Sequence, residues 1–406
     1  MKIESLKIRN FKVYKDATIK NLPTMCVFLG TNGSGKTSLF DVFGFLSDAL
    51  QNNVTIAVNR RGGATELLSR GCNKEKDTIF FEIKFRNPNE FKGASPLITY
   101  SIEIGFKKNK AIVLRELLKY RRGNKGWGKP WHFLDFKEGE GDAILNEEQY
   151  GNEGVVEKRE YQKLSSPDIL AIKGLGQFEQ FRAISSFRTL LEKWYISNFT
   201  INESRRIGDI GVSEHLSTSG DNLAQVTKYI AENNPAIFDK ILSNLPKRIP
   251  GINKVEAIET EDGRIVLKFQ DNNFKDPFIA RYVSDGTMKM FAYMVLLYDS
   301  DPHPLLCIEE PENYLHPDLL IELAEEIRDY SIRGGQVFVS THSPDFVNAV
   351  QLNELFFIEK ESGGFSQIKS AKENELVSKL FNEGNQLGWL WRNNFIKGAN
   401  LKLDIL

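Results

Sequence analysis

The sequence predicts an α/β protein, and three observations carry that prediction. GTNGSGKT at Gly30 to Thr37 follows the apolar run MCVFL and precedes the amphipathic run SLFDVFGFLSDAL, the order of buried strand, turn and helix. Two more apolar runs of strand length, PLLCI and QVFVS, alternate with helical spacing between Met288 and Pro344. The first 122 residues add strand-like stretches at IESLKI, TIFFEIKF, ITYSIEIGF and AIVLREL.

Taken in chain order, residues 1–150 read as a β-rich half built around one helix. Its end, KYRRGNKGWGKPWH and an acidic stretch through Glu148, reads as turn and loop material. Residues 151–250 read as a mainly helical insertion, with FRTLLEKWYI and NLAQVTKYIAENN as its clearest helices. Residues 251–406 resume a core pattern. KVEAIETEDGRIVLKFQ is a hairpin around Asp262-Gly263, a favoured tight-turn pair. A helix from Met288, the strand PLLCI, the helix LLIELAEEIRDYS and the strand QVFVS follow.

Composition bounds the functional classes. With 406 residues, 41% of them hydrophobic and 26% charged, the chain has the makeup of a soluble globular protein of two or three packed lobes. The start, MKIESLKIRNFKVYKD, alternates apolar and charged residues and lacks the apolar centre of a signal peptide. No run of about eighteen apolar residues predicts a membrane span. Cys26, Cys72 and Cys307 form no C-x-x-C pair, so they read as buried thiols of a reducing cytoplasm. A formal net charge of −1 removes the whole-molecule signature of a dedicated DNA binder, leaving only local patches.

GTNGSGKT fits the phosphate-binding pattern G-x-x-x-x-G-K-[ST] at every required position. Ordinary residue frequencies make a chance match about one in a hundred for a chain this long. In this loop Gly30, Asn32, Gly33, Ser34, Gly35 and Ser38 would surround the phosphates of a nucleotide. Lys36 would reach the β- and γ-phosphates, and the Thr37 hydroxyl would ligate Mg²⁺. PLLCIEEPE ends a buried strand in two adjacent carboxylates, an arrangement that needs a cation or a proton to compensate it. Beside a phosphate loop, Glu309 would hold Mg²⁺ and Glu310 would polarise the attacking water. QVFVSTHSP ends a second buried strand at His342, one of only five histidines, which would contact the γ-phosphate or hold the water.

These residues together resemble the ABC-type, SMC-like ATPases, a group that includes RecF and the ATPase part of OLD-family nucleases. IRNFKVYKD is similar to the family's N-terminal strand motif, GTNGSGKT to Walker A, and VSDGT to the signature motif. CIEEPENYLHP is similar to Walker B with its D-loop, and STHSP to the switch histidine. The resemblance implies a P-loop NTPase of the ABC-ATPase type with a β-rich N-terminal lobe and a helical insertion. It also implies head-to-tail dimers or higher oligomers, in which Ser284, Gly286 and Asn313 complete the nucleotide site of a second copy. Asp285 departs from the glycine preferred in transporter signatures, and Glu309 from the commoner aspartate of Walker B. The family's Q-loop glutamine stays open among Gln149, Gln162, Gln177 and Gln180.

About sixty residues follow the switch motif, with no D-x-D pair, so the expectation is a bare ATPase without the nuclease domain of OLD chains. Its output then lies in a separately encoded effector protein, such as a nuclease or toxin of anti-phage defence. The competing expectations are a RecF-like DNA-binding ATPase of repair and an ATP-gated scaffold with negligible hydrolysis. KYRRGNKGWGKPWH, with five positive side chains plus Trp127 and Trp131, suits DNA phosphates and stacked bases, or is a solvated hairpin loop. The tail GNQLGWLWRNNF, with Trp389 and Trp391, would dock a partner or pack on its own core.

Overall fold

The structure is a computed structural model that describes residues 2–86, 95–108, 110–121, 129–150, 152 and 154–396. Two compact units organise them. The first comprises the described residues of 1–194, 351–385 and 390–406, and the second those of 195–350 and 386–389. The expected boundaries at 150 and 250 are therefore not where packing divides the chain. Residues 171–192 of the expected insertion pack in the first unit, and residues 223–248 in the second.

The first unit runs β1 (Lys2–Phe11), β2 (Tyr14–Lys20), β3 (Met25–Leu29), α1 (Lys36–Gln51), α2 (Val54–Asn59), α3 (Ala64–Leu67) and β4 (Ile79–Arg86). It continues through β5 (Ile98–Lys107), β6 (Lys110–Tyr120), β7 (Trp131–Lys137), β8 (Glu140–Ile144), β9 (Arg159–Lys163), α4 (Ala171–Leu175) and α5 (Arg182–Glu192). The second unit holds β10 (Tyr195–Ser197), α6 (Ile201–Ser204), β11 (Gly208–Asp209), α7 (Leu223–Asn233), α8 (Pro235–Arg248), β12 (Ile252–Glu259), β13 (Arg264–Asp271) and β14 (Phe278–Ile279). After these come α9 (Asp285–Leu297), β15 (Leu305–Glu309), α10 (Pro317–Ile332), β16 (Gln336–Thr341) and α11 (Pro344–Asn348). The chain then returns to the first unit with β17 (Leu355–Lys360), β18 (Ser366–Ser370) and α12 (Glu375–Asn382).

In the first unit, eight strands form an antiparallel sheet in the order β2-β1-β4-β5-β6-β7-β8-β9. β4 shows how the sequence makes it: IFFEIKFR buries every second residue, so one face is apolar throughout. Helix α1 lays Phe45 against Phe11 and Phe81, with ring centroids 6.1 and 5.8 Å apart. Helix α5 lays Phe187 against Tyr100 and Phe85 at 4.6 and 5.1 Å. The stretch expected to be turn and loop before Glu148 is instead β7 and β8, because WHFLDFK keeps enough alternation to pair with β6. Trp131 is 1% exposed and packs against Phe133 and Tyr150, so it is a core residue and not a stacking platform for bases. Arg122, Lys125 and Trp127 lie outside the described residues.

In the second unit, β10, β15 and β16 are parallel neighbours, and β12 and β13 form the expected hairpin. Its loop is four residues long, closed by Thr260 N–H on the Arg264 carbonyl at 2.8 Å, with Gly263 left-handed at φ 78°. FRTLLEKWYI is not one helix: α5 stops at Glu192, and Tyr195–Ser197 becomes β10 because β15 offers a parallel ladder. Arg248 ties α8 to α10 through Glu322 and through Glu326 at 2.9 Å. Cys26 and Cys307 are buried as expected, whereas Cys72 is half-buried beside the Lys15 ammonium at 2.9 Å. Among the described residues no helix is long and apolar enough to cross a membrane.

One buried carboxylate, Glu116 on β6, holds the start of α4. It accepts from Ala171 N–H at 2.5 Å, Ile172 N–H at 3.2 Å and Tyr100 O–H at 3.1 Å. Burial nevertheless pushes its pKa up from 4.5 to about 7. The native state thus holds this proton more tightly than the unfolded chain, so stability present in acid is lost as pH rises from 4.5 through about 7. Glu116→Gln should flatten that slope, the wild-type-minus-variant difference in unfolding free energy changing by about 3 kcal/mol across the window. Urea titrations at a series of pH values measure it, and parallel pH profiles for the two proteins would contradict it.

Candidate functional site

The sequence-predicted residues fall into two groups, one in each unit. In the first unit β3 is buried at all five positions and pairs in parallel with β17, so its carboxyl end releases the GTNGSGKT loop directly into the N-terminus of α1. Gly33 and Gly35 take φ values of 72° and 118°, the left-handed region that favours glycine. A Cβ on Gly35 would lie 2.8 Å from Val13 Cγ2 and 3.1 Å from Tyr14 Oη. The loop is held on that side by Tyr14 O–H donating to the Gly35 carbonyl at 2.9 Å and Ser366 O–H donating to the Ser34 carbonyl at 2.5 Å. Neither contact was expected from the sequence: Tyr14 lies in the IRNFKVYKD motif, which gave no sign that its hydroxyl meets the loop, and no motif marks Ser366.

Lys36 is buried, and its ammonium donates to the carbonyls of Gly30 at 2.7 Å and Thr31 at 3.2 Å. Asn32, Gly33 and Thr37 are exposed, and Ser38 is half-buried. The Ser34 hydroxyl is buried without a hydrogen-bond partner among the described residues. Helix α1 begins after Gly35, with no side-chain cap and no acidic residue in its first turn. An uncapped helix N-terminus, a free buried hydroxyl and a lysine resting on loop carbonyls fit a polyphosphate. Within the first unit, the Thr37 hydroxyl is an oxygen donor of the kind Mg²⁺ takes.

In the second unit β15 carries four buried residues and then Glu309, half-buried at the strand's end. Glu310 follows in a left-handed conformation, φ 46°, which costs about 1–3 kcal/mol for a side chain of this kind. Its own N–H donates to the Ser340 carbonyl at 2.8 Å. One carboxylate oxygen lies 3.3 Å from His342 Nδ1, and the other accepts from the Asn313 amide at 3.1 Å. The structure therefore brings Glu310, His342 and Asn313 together. Ser284 and Gly286 stand at the start of α9, where Ser284 caps the helix by accepting from Thr287 N–H at 3.2 Å. A Cβ on Gly286 would come 2.7 Å from the Tyr314 carbonyl, so this position needs glycine for close approach. Asp285, the departure from the transporter pattern, pairs with Arg205 at 2.6 Å in the favourable first turn of α9.

Two residues that sequence reasoning passed over complete this group. Lys289 is 6% exposed on α9 and donates to the carbonyls of Glu310 at 3.2 Å and Asn313 at 2.9 Å. Burial pulls its pKa down to about 8, against the opposing pull of the Glu312 and Glu310 charges. Glu312 accepts from Thr341 O–H and His342 N–H, both at 2.8 Å. A lone lysine in MKMFAYMVLL and a third carboxylate in EEPE were the available signals.

A buried strand feeding a glycine loop and helix, with a second strand ending in paired carboxylates, defines an ABC-type P-loop ATPase of the SMC- and OLD-like group. Residues 25–348 match the family described as "AAA domain, putative AbiEii toxin, Type IV TA system", and the chain belongs to it. The Old nuclease of Escherichia phage P2 is similar at 26% identity over 188 residues, 39% of this chain and 31% of that protein. The matched stretch thus spans about a third of the curated relative. An SMC head bound to the C-winged helix domain of ScpA shares the fold at TM-score 0.55 and 15% identity, covering 91% of this chain and 97% of that one. So does an Smc head domain with an extended coiled coil, bound to the C-terminal domain of ScpA and derived from Pyrococcus furiosus: TM-score 0.51, 13% identity, coverage 94% and 98%.

Gly35→Ala should weaken binding of a fluorescent ATP analogue at least tenfold and destabilise the fold by about 1–3 kcal/mol. Unchanged affinity would show that this loop geometry does not govern phosphate binding. Lys289→Met leaves the carbonyls of Glu310 and Asn313 without their donor. It should cost about 1–3 kcal/mol in urea unfolding, and a stabilised variant would contradict this account.

Proposed function

We propose that this chain is a Mg²⁺-dependent ATPase that works as a head-to-tail dimer and controls a separately encoded effector. The observation that carries the hydrolytic part is Glu310: half-exposed, fixed on one oxygen by Asn313 and flanked on the other by His342. A carboxylate so held stays open to water and keeps one orientation, which is what a general base requires. Lys36 exchanges the carbonyls of Gly30 and Thr31 for the β- and γ-phosphates. Thr37 and Glu309 would hold Mg²⁺, which would supply charge neutralisation at the phosphates. Glu310 takes the proton of the attacking water, and His342 orients that water.

The exposed start of α9 supports the dimer. Ser284 is solvent-facing, and Tyr282 and Tyr314 are 73% and 67% exposed. Ser284 and Gly286 would meet the nucleotide of the second copy, and ATP would favour the closed dimer through its higher affinity for that state. The family description, which names a toxin and a toxin–antitoxin system, supports a nuclease or toxin effector in prokaryotic anti-phage defence. The likeness to SMC heads crystallised with ScpA supports a protein partner. A cytoplasmic location is part of this proposal, and three free cysteines support it.

ATP turnover and light scattering of the purified protein test this. Lys36→Ala should lose nucleotide binding. Glu310→Gln should keep binding, lose at least about 100-fold in turnover and accumulate an ATP-bound dimer. Hydrolysis at the wild-type rate by either variant would falsify the site assignment, and an ATP-independent mass for Glu310→Gln would refute the dimer.

A further inference from the structure

The carboxylate of Glu312 is 8% exposed, yet it lies in a turn between a buried strand and a helix that an apolar side chain would fill at less cost. Its Oε1 accepts two hydrogen bonds from the end of β16, one from the Thr341 hydroxyl and one from the His342 backbone N–H, each 2.8 Å long. Its Oε2 is buried with no hydrogen-bond partner among the described residues. Half of this ion is thus unsatisfied, a penalty of the kind proteins keep at functional sites. Lys289 answers it in charge without bonding it, because the lysine's own hydrogen bonds go to the carbonyls at either end of the 310–313 turn.

We infer that Glu312 is a positioning residue of the hydrolytic centre: it clamps the exit of β16 to the turn after β15, and so holds His342 beside Glu310. The inference rests on the reading of Glu310 as general base. Without the clamp, the His342 backbone loses its only side-chain acceptor among the described residues, and the turn that carries Glu310 keeps only the Glu310 N–H bond to the Ser340 carbonyl as a fastening to β16 beyond the β15–β16 ladder. The 3.3 Å spacing between His342 Nδ1 and Glu310 Oε1 then rests on backbone pairing alone, with no side-chain brace beyond the end of β16. The Thr341 hydroxyl extends the brace, since it also accepts from Ser343 N–H at 3.0 Å, and Ser343 caps α11. Glu312 touches neither phosphate nor water in this scheme; it acts by placing His342 against Glu310.

Steady-state ATP hydrolysis by the full chain tests the inference. Glu312→Gln keeps an oxygen that can accept both bonds and should stay within about threefold of the wild-type kcat. Glu312→Ala should lower kcat about 10- to 100-fold while KM and the affinity for a fluorescent ATP analogue move less than threefold. In a His342→Ala background the same change should add no further loss, because its effect passes through the histidine. Thr341→Val, which removes one of the two donors and leaves the carboxylate, should lower kcat in the same direction by less. It decides the matter if Glu312→Ala fails to fold, and a wild-type kcat for it would then overturn the inference. A wild-type kcat for Glu312→Ala, a KM that rises in step with its loss, or a full additional loss on His342→Ala would each overturn the inference. The parent reading is tested alongside: wild-type turnover in Glu310→Gln sinks the base assignment itself, whereas an inactive Glu310→Gln beside an active Glu312→Ala sinks Glu312 alone.

Discussion

Strands buried along their whole length can release polar side chains only at their ends, and the chemistry of this protein depends on that constraint. β3 is apolar and buried at every position, and the first polar function it can offer is the loop after Leu29. β15 is buried through Ile308, and its carboxylates begin at the next residue. β16 is buried through Thr341, and His342 is the first side chain to emerge. All three strands belong to parallel pairs, whose carboxyl ends are where open α/β sheets bind ligands. The strands therefore decide where a functional group can stand, and the residues just past them decide what it does.

Such ends are costly, and the surrounding residues show how the cost is met. Glu310 is forced into left-handed backbone, and the carbonyls it exposes are taken by a lysine buried on a neighbouring helix. Gly35 and Gly33 solve the corresponding problem in the loop by having no side chain to strain. The loop is then kept in place by hydroxyls from Tyr14 and Ser366, which act on carbonyls and leave the backbone N–H groups unengaged by them. Side chains that brace carbonyls stabilise the loop without competing for an anion.

Much of this was legible in the sequence, for physical reasons. The glycine loop, α1, β3, β15, β16 and the β12–β13 hairpin are set by local rules: apolar run length, helical spacing and turn chemistry. The class of ATPase followed from motif order, which survives where overall identity is low. What could not be read was whatever depends on distant pairing. WHFLDFK sits between turn-rich segments and becomes β7 only because β6 offers it a ladder. Trp131 was assigned to a basic loop by composition, yet its alternation in β7 sends it into the core. Lys289 and Glu312 were visible as charges in apolar or acidic runs, but their bonds join residues 21 to 30 positions apart.

Those long-range bonds also join two motifs that sequence reasoning treated as separate. Helix α9 has Ser284 at its N-cap, Gly286 in its first turn and Lys289 one turn later, on the same element. Gly286 lies against the Tyr314 carbonyl, and Lys289 holds the carbonyls of Glu310 and Asn313. The start of α9 and the turn that carries Glu310 are therefore joined by close packing and hydrogen bonds from one helix. If a second copy meets this protein through Ser284 and Gly286, as proposed, its contact and the proposed base would share one helix. Assembly and hydrolysis then become two readings of the same small group of residues.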